Sequence, residues 1–92
     1  MANTTVQIII IGLVQGVSFR YYAKKLAVSL GLTGFAKNLG DGSINVLVQG
    51  NKDNIDEFIG GCKKGPEQAK VENIRVKEIN SKEKFNNFEI RY

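Results

Sequence analysis

Apolar and polar positions in the first half of the chain predict a strand, a helix and a hairpin. Residues 6–12 (V-Q-I-I-I-I-G) are apolar and β-branched at nearly every position, which indicates a central strand paired on both edges. A helix ending at Gly31 should follow, with an apolar stripe of Phe19, Ala23, Leu26, Ala27 and Leu30. Residues 33–38 and 43–50 predict two more strands. Asp41-Gly42 between them predicts a tight turn, because both residues can take a positive φ.

The second half of the chain predicts one helix and two strands. The helix should begin after Asn51, a suitable N-cap, and end at Gly65-Pro66. Strands are predicted at residues 70–79 and 87–92, with a solvated loop between them. The order β-α-β-β-α-β, with a further edge strand at the end, is typical of a ferredoxin-like α+β sandwich, an antiparallel sheet with two helices on one face. We expect one domain over residues 1–92.

Composition excludes several kinds of chemistry. The chain has no histidine and one cysteine, Cys62, which excludes Ser-His and Cys-His nucleophiles, the usual zinc sites and an intrachain disulfide. We expect Cys62 in the core, and we expect neither a metal nor another cofactor. The longest apolar run, residues 8–14, is too short for a membrane span and lacks the basic segment of a signal peptide. We therefore expect a cytoplasmic protein without a membrane partner.

The net charge of +4 belongs entirely to the first forty residues. Residues 1–40 contain no Asp or Glu, whereas their four basic residues are Arg20, Lys24, Lys25 and Lys37. From Asp41 onward, nine acidic residues balance nine basic ones. A local positive field predicts an anionic ligand, although a solvated basic face gives the same pattern.

The start of the first helix is the candidate anion site. It carries Arg20 and no carboxylate, whereas the second helix begins with the acidic residues that its dipole favours. Gly16 permits close approach of the backbone to a ligand, so consecutive amides could converge on one phosphate. The predicted phosphate-binding residues are Gln15, Gly16, Val17, Ser18, Phe19 and Arg20. The alternative is that Gly16 only makes a turn and Arg20 is a surface residue.

Other phosphate-binding motifs fail on inspection. The pattern G-x-x-x-x-G-K-[ST] is incomplete both at Gly12 and at Gly60. A cysteine-phosphatase loop needs an arginine six residues after its cysteine, and position 68 is Gln68. Cys62 is therefore not such a nucleophile.

Two separated segments resemble the acylphosphatase family. They are G-L-V-Q-G-V-S-F-R at residues 12–20 and G-L-T-G-F-A-K-N-L-G-D-G-S-I at residues 31–44, and the similarity extends along the whole chain. The resemblance implies metal-independent hydrolysis of an acyl phosphate to a carboxylate and inorganic phosphate. It also implies that Arg20 binds the phosphoryl group and that Asn38 orients the attacking water. Inorganic phosphate would then be both a product and a competitive inhibitor.

Three positions depart from the family pattern. Many members carry Trp in place of Phe35 and Arg in place of Lys37, and some carry His in place of Tyr22. These departures bear on substrate fit or packing, since Arg20 and Asn38 are retained. We expect Phe35 in the core.

Two other functions share this fold order. A nucleic-acid-binding module would expose aromatic residues on its sheet, and the central strands offer mainly residues 8–11, Asn45, Leu47 and Gln49, which argues against nucleic acid. A catalytically idle anion-binding relative is the other alternative. We expect a monomer, because the predicted core suffices for one chain.

Overall fold

Two helices and five strands form in the predicted order in the computed structural model, which describes residues 3–92. The elements are β1 (Thr4–Leu13), α1 (Phe19–Ser29), β2 (Thr33–Asn38), β3 (Ile44–Gly50), α2 (Lys52–Lys64), β4 (Lys70–Ile79) and β5 (Phe88–Arg91). Within this part of the chain, neither helix is long and apolar enough to cross a membrane.

The five strands form one sheet in the order β4-β1-β3-β2-β5. β1 pairs with β3 and β4, which confirms that it is paired on both edges. The prediction of an antiparallel sheet is wrong at one edge, because β5 pairs parallel to β2. β4 ends at the end of the sheet where β2 begins, so the connection crosses that end and β5 runs in the same direction as β2. The Gln49 side chain fixes this connection by donating to the Glu83 carbonyl and accepting from the Phe85 amide.

The core lies between the two helices and one face of the sheet. Alternate residues of β1 and β3 are buried there, and Cys62 of α2 is fully buried, as predicted. Burial raises the pKa of the Cys62 thiol to about 12, so the thiol stays protonated at neutral pH.

Phe35 does not lie in this core, contrary to the prediction. Gly34 and Ala36 on either side of it are buried, so Phe35 faces the opposite side of the sheet and is only half-buried. Its ring meets that of Phe85 edge-on at 6.0 Å, and the Arg91 guanidinium carbon lies 4.0 Å from the ring centroid. The small residues, not the aromatic one, fit beneath the helices.

The hairpin between β2 and β3 has a different turn from the predicted one. Leu39 and Ser43 close a loop of three residues through the Leu39 amide, which donates to the Ser43 carbonyl at 2.8 Å. Gly42 has a φ of 94°, whereas Asp41 is not among the residues with positive φ. The Asp41 carboxylate instead accepts hydrogen bonds from the hydroxyl and the amide of Ser43, which lower its pKa. This is the three-residue type of hairpin, in which only the final glycine needs the left-handed region.

Gly34→Ala should destabilise the fold strongly. Gly34 has a φ of 137°, and a Cβ atom there would overlap the backbone carbonyl oxygen of Leu47 in β3. We expect a loss of about 3 kcal/mol in the free energy of unfolding, measured by urea denaturation. Gly40→Ala is the control, since nothing lies within 4 Å of a Cβ there. Equal stability of the two variants would contradict the assigned clash.

Candidate anion-binding site

A cavity of about 340 Å³ opens at the start of α1. Its lining residues are Val14, Gly16, Ser18, Phe19, Arg20, Tyr21, Asn38, Ile90 and Tyr92. The structure therefore brings Arg20 from the first turn of α1 together with Asn38 from the end of β2. Gln15 and Val17, which were also predicted as phosphate-binding, do not line the cavity.

The loop before α1 has an unusual backbone. Gly16 has a φ of 77°, and Ser18, at the N-cap, has a φ of 61° and a ψ of 29°. The left-handed region costs a serine about 1–2 kcal/mol, and such strain is concentrated at functional sites. The Ser18 side chain caps no amide, and the first turn of α1 has no acidic residue. The first helical amides are therefore left for an external acceptor, in a place that the helix dipole makes positive.

Two apolar side chains attach this loop to the core. Phe19 is 1% exposed and belongs to the core, and the partly buried Val17 packs against the same core. Val17 and Phe19 thus hold the loop through their side chains. Participation of their backbone amides in phosphate binding stays a prediction.

The guanidinium of Arg20 is held at the cavity by the residues at the end of β5. Its Nη1 atom donates to the Arg91 carbonyl oxygen at 2.9 Å, and its Cζ atom lies 4.6 Å from the centroid of the Tyr92 ring. The salt bridge in residues 3–92 joins Arg91 and Glu89, so no described carboxylate neutralises Arg20. The guanidinium keeps its charge and several N–H donors for an anion.

Asn38 offers an acceptor without a partner. Its Oδ1 atom is buried, and no protein atom of residues 3–92 hydrogen-bonds to it. Leaving a buried acceptor unsatisfied costs about 1–3 kcal/mol. In a residue that lines a cavity, such an acceptor is suited to a donor from outside the protein, such as a water or a ligand hydroxyl.

The side chain of Gln15 joins the loop to the hairpin. Its Nε2 atom donates to the carbonyl oxygens of Leu39 at 2.7 Å and Ser43 at 2.9 Å. Leu39 directly follows Asn38, so these two hydrogen bonds set the distance between the loop and the Asn38 side chain. The Gln15 side chain thus holds the loop and the hairpin together. Binding of phosphate by the Gln15 backbone amide stays a prediction.

Tyr22 and Lys37, two of the positions that depart from the family pattern, lie away from the cavity. The Tyr22 hydroxyl donates to the Gly61 carbonyl of α2 at 2.8 Å, and its ring meets Phe19 edge-on. Burial, followed by the neighbouring Cys62, raises the pKa of Tyr22. Lys37 is exposed on β2. Neither residue lines the site, so both are peripheral to its chemistry.

Four lining residues were not predicted from the sequence, namely Val14, Tyr21, Ile90 and Tyr92. Val14 and Tyr21 adjoin the predicted motif and could have been included on that ground. Ile90 and Tyr92 reach the cavity only because β5 lies beside β2, and the sequence carried no signal for this parallel pairing.

Comparisons with known proteins point to one family. A family model described as Acylphosphatase matches residues 6–90. A curated protein named acylphosphatase from Caldivirga maquilingensis is 41% identical over 92 residues, covering 99% of this chain and 97% of its own. The crystal structure of acylphosphatase from Bacillus subtilis superimposes with a TM-score of 0.93 at 36% identity, covering 97% of this chain and 99% of that one.

The same fold also occurs inside a larger protein. The crystal structure of full-length HypF in the phosphate- and nucleotide-bound form matches with a TM-score of 0.91 at 30% identity. The match covers 99% of this chain but only 12% of that one.

Gln15→Ala should loosen the contact between the loop and the hairpin. Two hydrogen bonds to backbone carbonyls are lost, so we expect a decrease of about 1–2 kcal/mol in the free energy of unfolding, measured by urea denaturation. Gln7→Ala is the matched control, because Gln7 makes one long hydrogen bond of 3.3 Å to Asn45. We expect this control to change stability by less than about 0.5 kcal/mol. An unchanged free energy of unfolding in Gln15→Ala would show that these two hydrogen bonds are not needed for stability.

Proposed function

This chain belongs to the acylphosphatase family, enzymes that hydrolyse acyl phosphates, and we propose that Arg20 and Asn38 perform the reaction in the cavity beside α1. The proposal is supported by the fact that Arg20 and Asn38 line the same cavity. There the charge of Arg20 is not neutralised by a carboxylate, and the buried Oδ1 atom of Asn38 has no hydrogen-bond partner among the described residues. The alternative of an idle anion- or nucleic-acid-binding module is not favoured by these findings.

The phosphoryl group binds through the loop and Arg20. The amides at the start of α1 and the guanidinium donate hydrogen bonds to the non-bridging phosphoryl oxygens. Because Nη1 already donates to the Arg91 carbonyl, the guanidinium plane is fixed before the substrate arrives. Donors oriented in advance stabilise the charge of the transition state without reorganising. The Arg20 guanidinium and the neutral loop amides supply this stabilisation themselves, so the mechanism requires no metal.

Asn38 orients the water that attacks phosphorus. Its Oδ1 atom accepts a hydrogen bond from the water, which is held in line with the departing carboxylate. The new bond forms between the water oxygen and phosphorus, and the bond from phosphorus to the acyl oxygen breaks. The leaving group takes that electron pair as a carboxylate, and a phosphoryl oxygen receives the proton. Phosphoryl transfer of this kind depends on positioning and charge stabilisation, and a carboxylate leaves readily.

No general base is needed in this scheme. Asn38 cannot accept a proton at ordinary pH, and the chain has no histidine. Asp41 is the nearest carboxylate in the sequence, but its hydrogen bonds from Ser43 lower its pKa and make it a weaker base. We also expect the enzyme to act as a monomer, since one chain supplies every residue used here.

Arg20→Ala should lose both substrate binding and turnover. Phosphate release from an aryl acyl phosphate, measured in the presence of EDTA, should fall by about 10³-fold in kcat/KM, because a charged donor to the phosphoryl group is lost. Lys24→Ala, an exposed cation one turn further along α1, controls for the loss of a positive charge and should remain near wild type. Activity of Arg20→Ala within tenfold of wild type would refute the role, and loss of activity in EDTA would refute metal independence.

Asn38→Ala should lower turnover while leaving phosphate binding intact. We expect kcat to fall by about 10²-fold or more, because the water loses its orientation. The inhibition constant for inorganic phosphate should stay near that of the wild type, since Arg20 and the loop remain. Asn45→Ala, at the second position of β3 and outside the cavity lining, is the matched control. A parallel loss of phosphate inhibition and kcat would contradict the assignment.

A further inference from the structure

We propose that the rings of Tyr21 and Tyr92 bind the acyl group of the substrate, so that the enzyme prefers acyl phosphates whose acyl group is uncharged and aromatic. This inference rests on the proposed function of the cavity. It concerns the acyl part of the substrate, which the loop before α1 does not contact.

The rings of Tyr21 and Tyr92 are exposed beside the cavity. Five large apolar or aromatic side chains of residues 3–92 are strongly exposed, namely Leu13, Tyr21, Val28, Val76 and Tyr92. Tyr21 is 61% exposed and Tyr92 is 92% exposed, and both line the cavity. Exposed aromatic rings beside a binding pocket provide apolar contact area at a low cost in conformational entropy.

The Tyr92 ring lies close to the proposed position of the phosphoryl group. The Tyr92 ring centroid lies 4.6 Å from the Cζ atom of Arg20, which is proposed to hold the phosphoryl oxygens. The acyl carbon is joined to phosphorus through one oxygen atom. A planar acyl group therefore extends from the phosphoryl site to within contact distance of this ring. The half-buried Ile90 lines the same cavity and adds apolar surface.

The side chains that line the cavity carry little charge. Arg20 has the sole charged side chain among the described residues that line the cavity. A second anion on the acyl group would lack a cationic partner of its own, and a cationic acyl group would meet no carboxylate side chain of the lining. Lys24 and Lys37 are exposed and do not line the cavity. The lining thus favours an acyl group without charge.

The experiment compares benzoyl phosphate with acetyl phosphate in the wild type, Tyr21→Ala and Tyr92→Ala. The measured quantity is the ratio of kcat/KM for the two substrates. Both carry the same phosphoryl group, so any effect of Tyr92 on the position of Arg20 cancels in this ratio. Each alanine variant should lower the benzoyl-to-acetyl ratio by about three- to tenfold, the range expected for one lost aromatic contact.

Two sets of controls separate the ring contact from other effects. Tyr21→Phe and Tyr92→Phe keep the ring and should keep the wild-type ratio. Val28→Ala removes an exposed side chain of α1 that does not line the cavity, and it should also leave the ratio unchanged. Ratios within twofold of wild type in both alanine variants would overturn the acyl-group assignment and leave the proposed function standing. Failure of the wild type to hydrolyse either substrate would overturn both proposals.

Discussion

The contact between Arg20 and the end of β5 determines what this site can do. A backbone carbonyl and an aromatic ring hold the guanidinium, and both leave its charge in place. A carboxylate partner would have fixed the side chain equally well, but it would also have cancelled the field that attracts an anion. The first turn of α1 likewise has no acidic residue that would cancel this field.

This arrangement depends on an unusual feature of the sheet. β5 pairs parallel to β2, and its last paired residue, Arg91, reaches the start of α1 together with Tyr92. Asn38 ends β2, so one edge of the sheet contributes both the proposed acceptor for the water and the support for the guanidinium. Gln15 completes the set by joining the loop to the hairpin. The cavity is thus assembled from three segments that lie far apart in the sequence.

The sequence was sufficient to predict the elements. Its resemblance to a family also indicated Arg20 and Asn38, which line one cavity, and their roles stay predictions. Helix and strand periodicities are local, and the bounds of β2, α2 and β4 follow from them. Phe35 was misplaced because a large apolar residue suggests burial, whereas the space beneath the helices admits only Gly34 and Ala36. The β5 pairing was missed because strand partners are not encoded in the periodicity of one segment. Tyr92 could not be assigned to the site for the same reason.

β5 is a strand of four residues, and it links the outer edge of the sheet to the cavity beside α1. Short edge strands open more readily than central ones, and such opening would withdraw the Arg91 carbonyl from Arg20. A bound anion that fixes the guanidinium must, by thermodynamic reciprocity, also favour the closed edge. The affinity for the anion and the opening equilibrium of β5 therefore report the same coupling free energy between the cavity and the sheet edge.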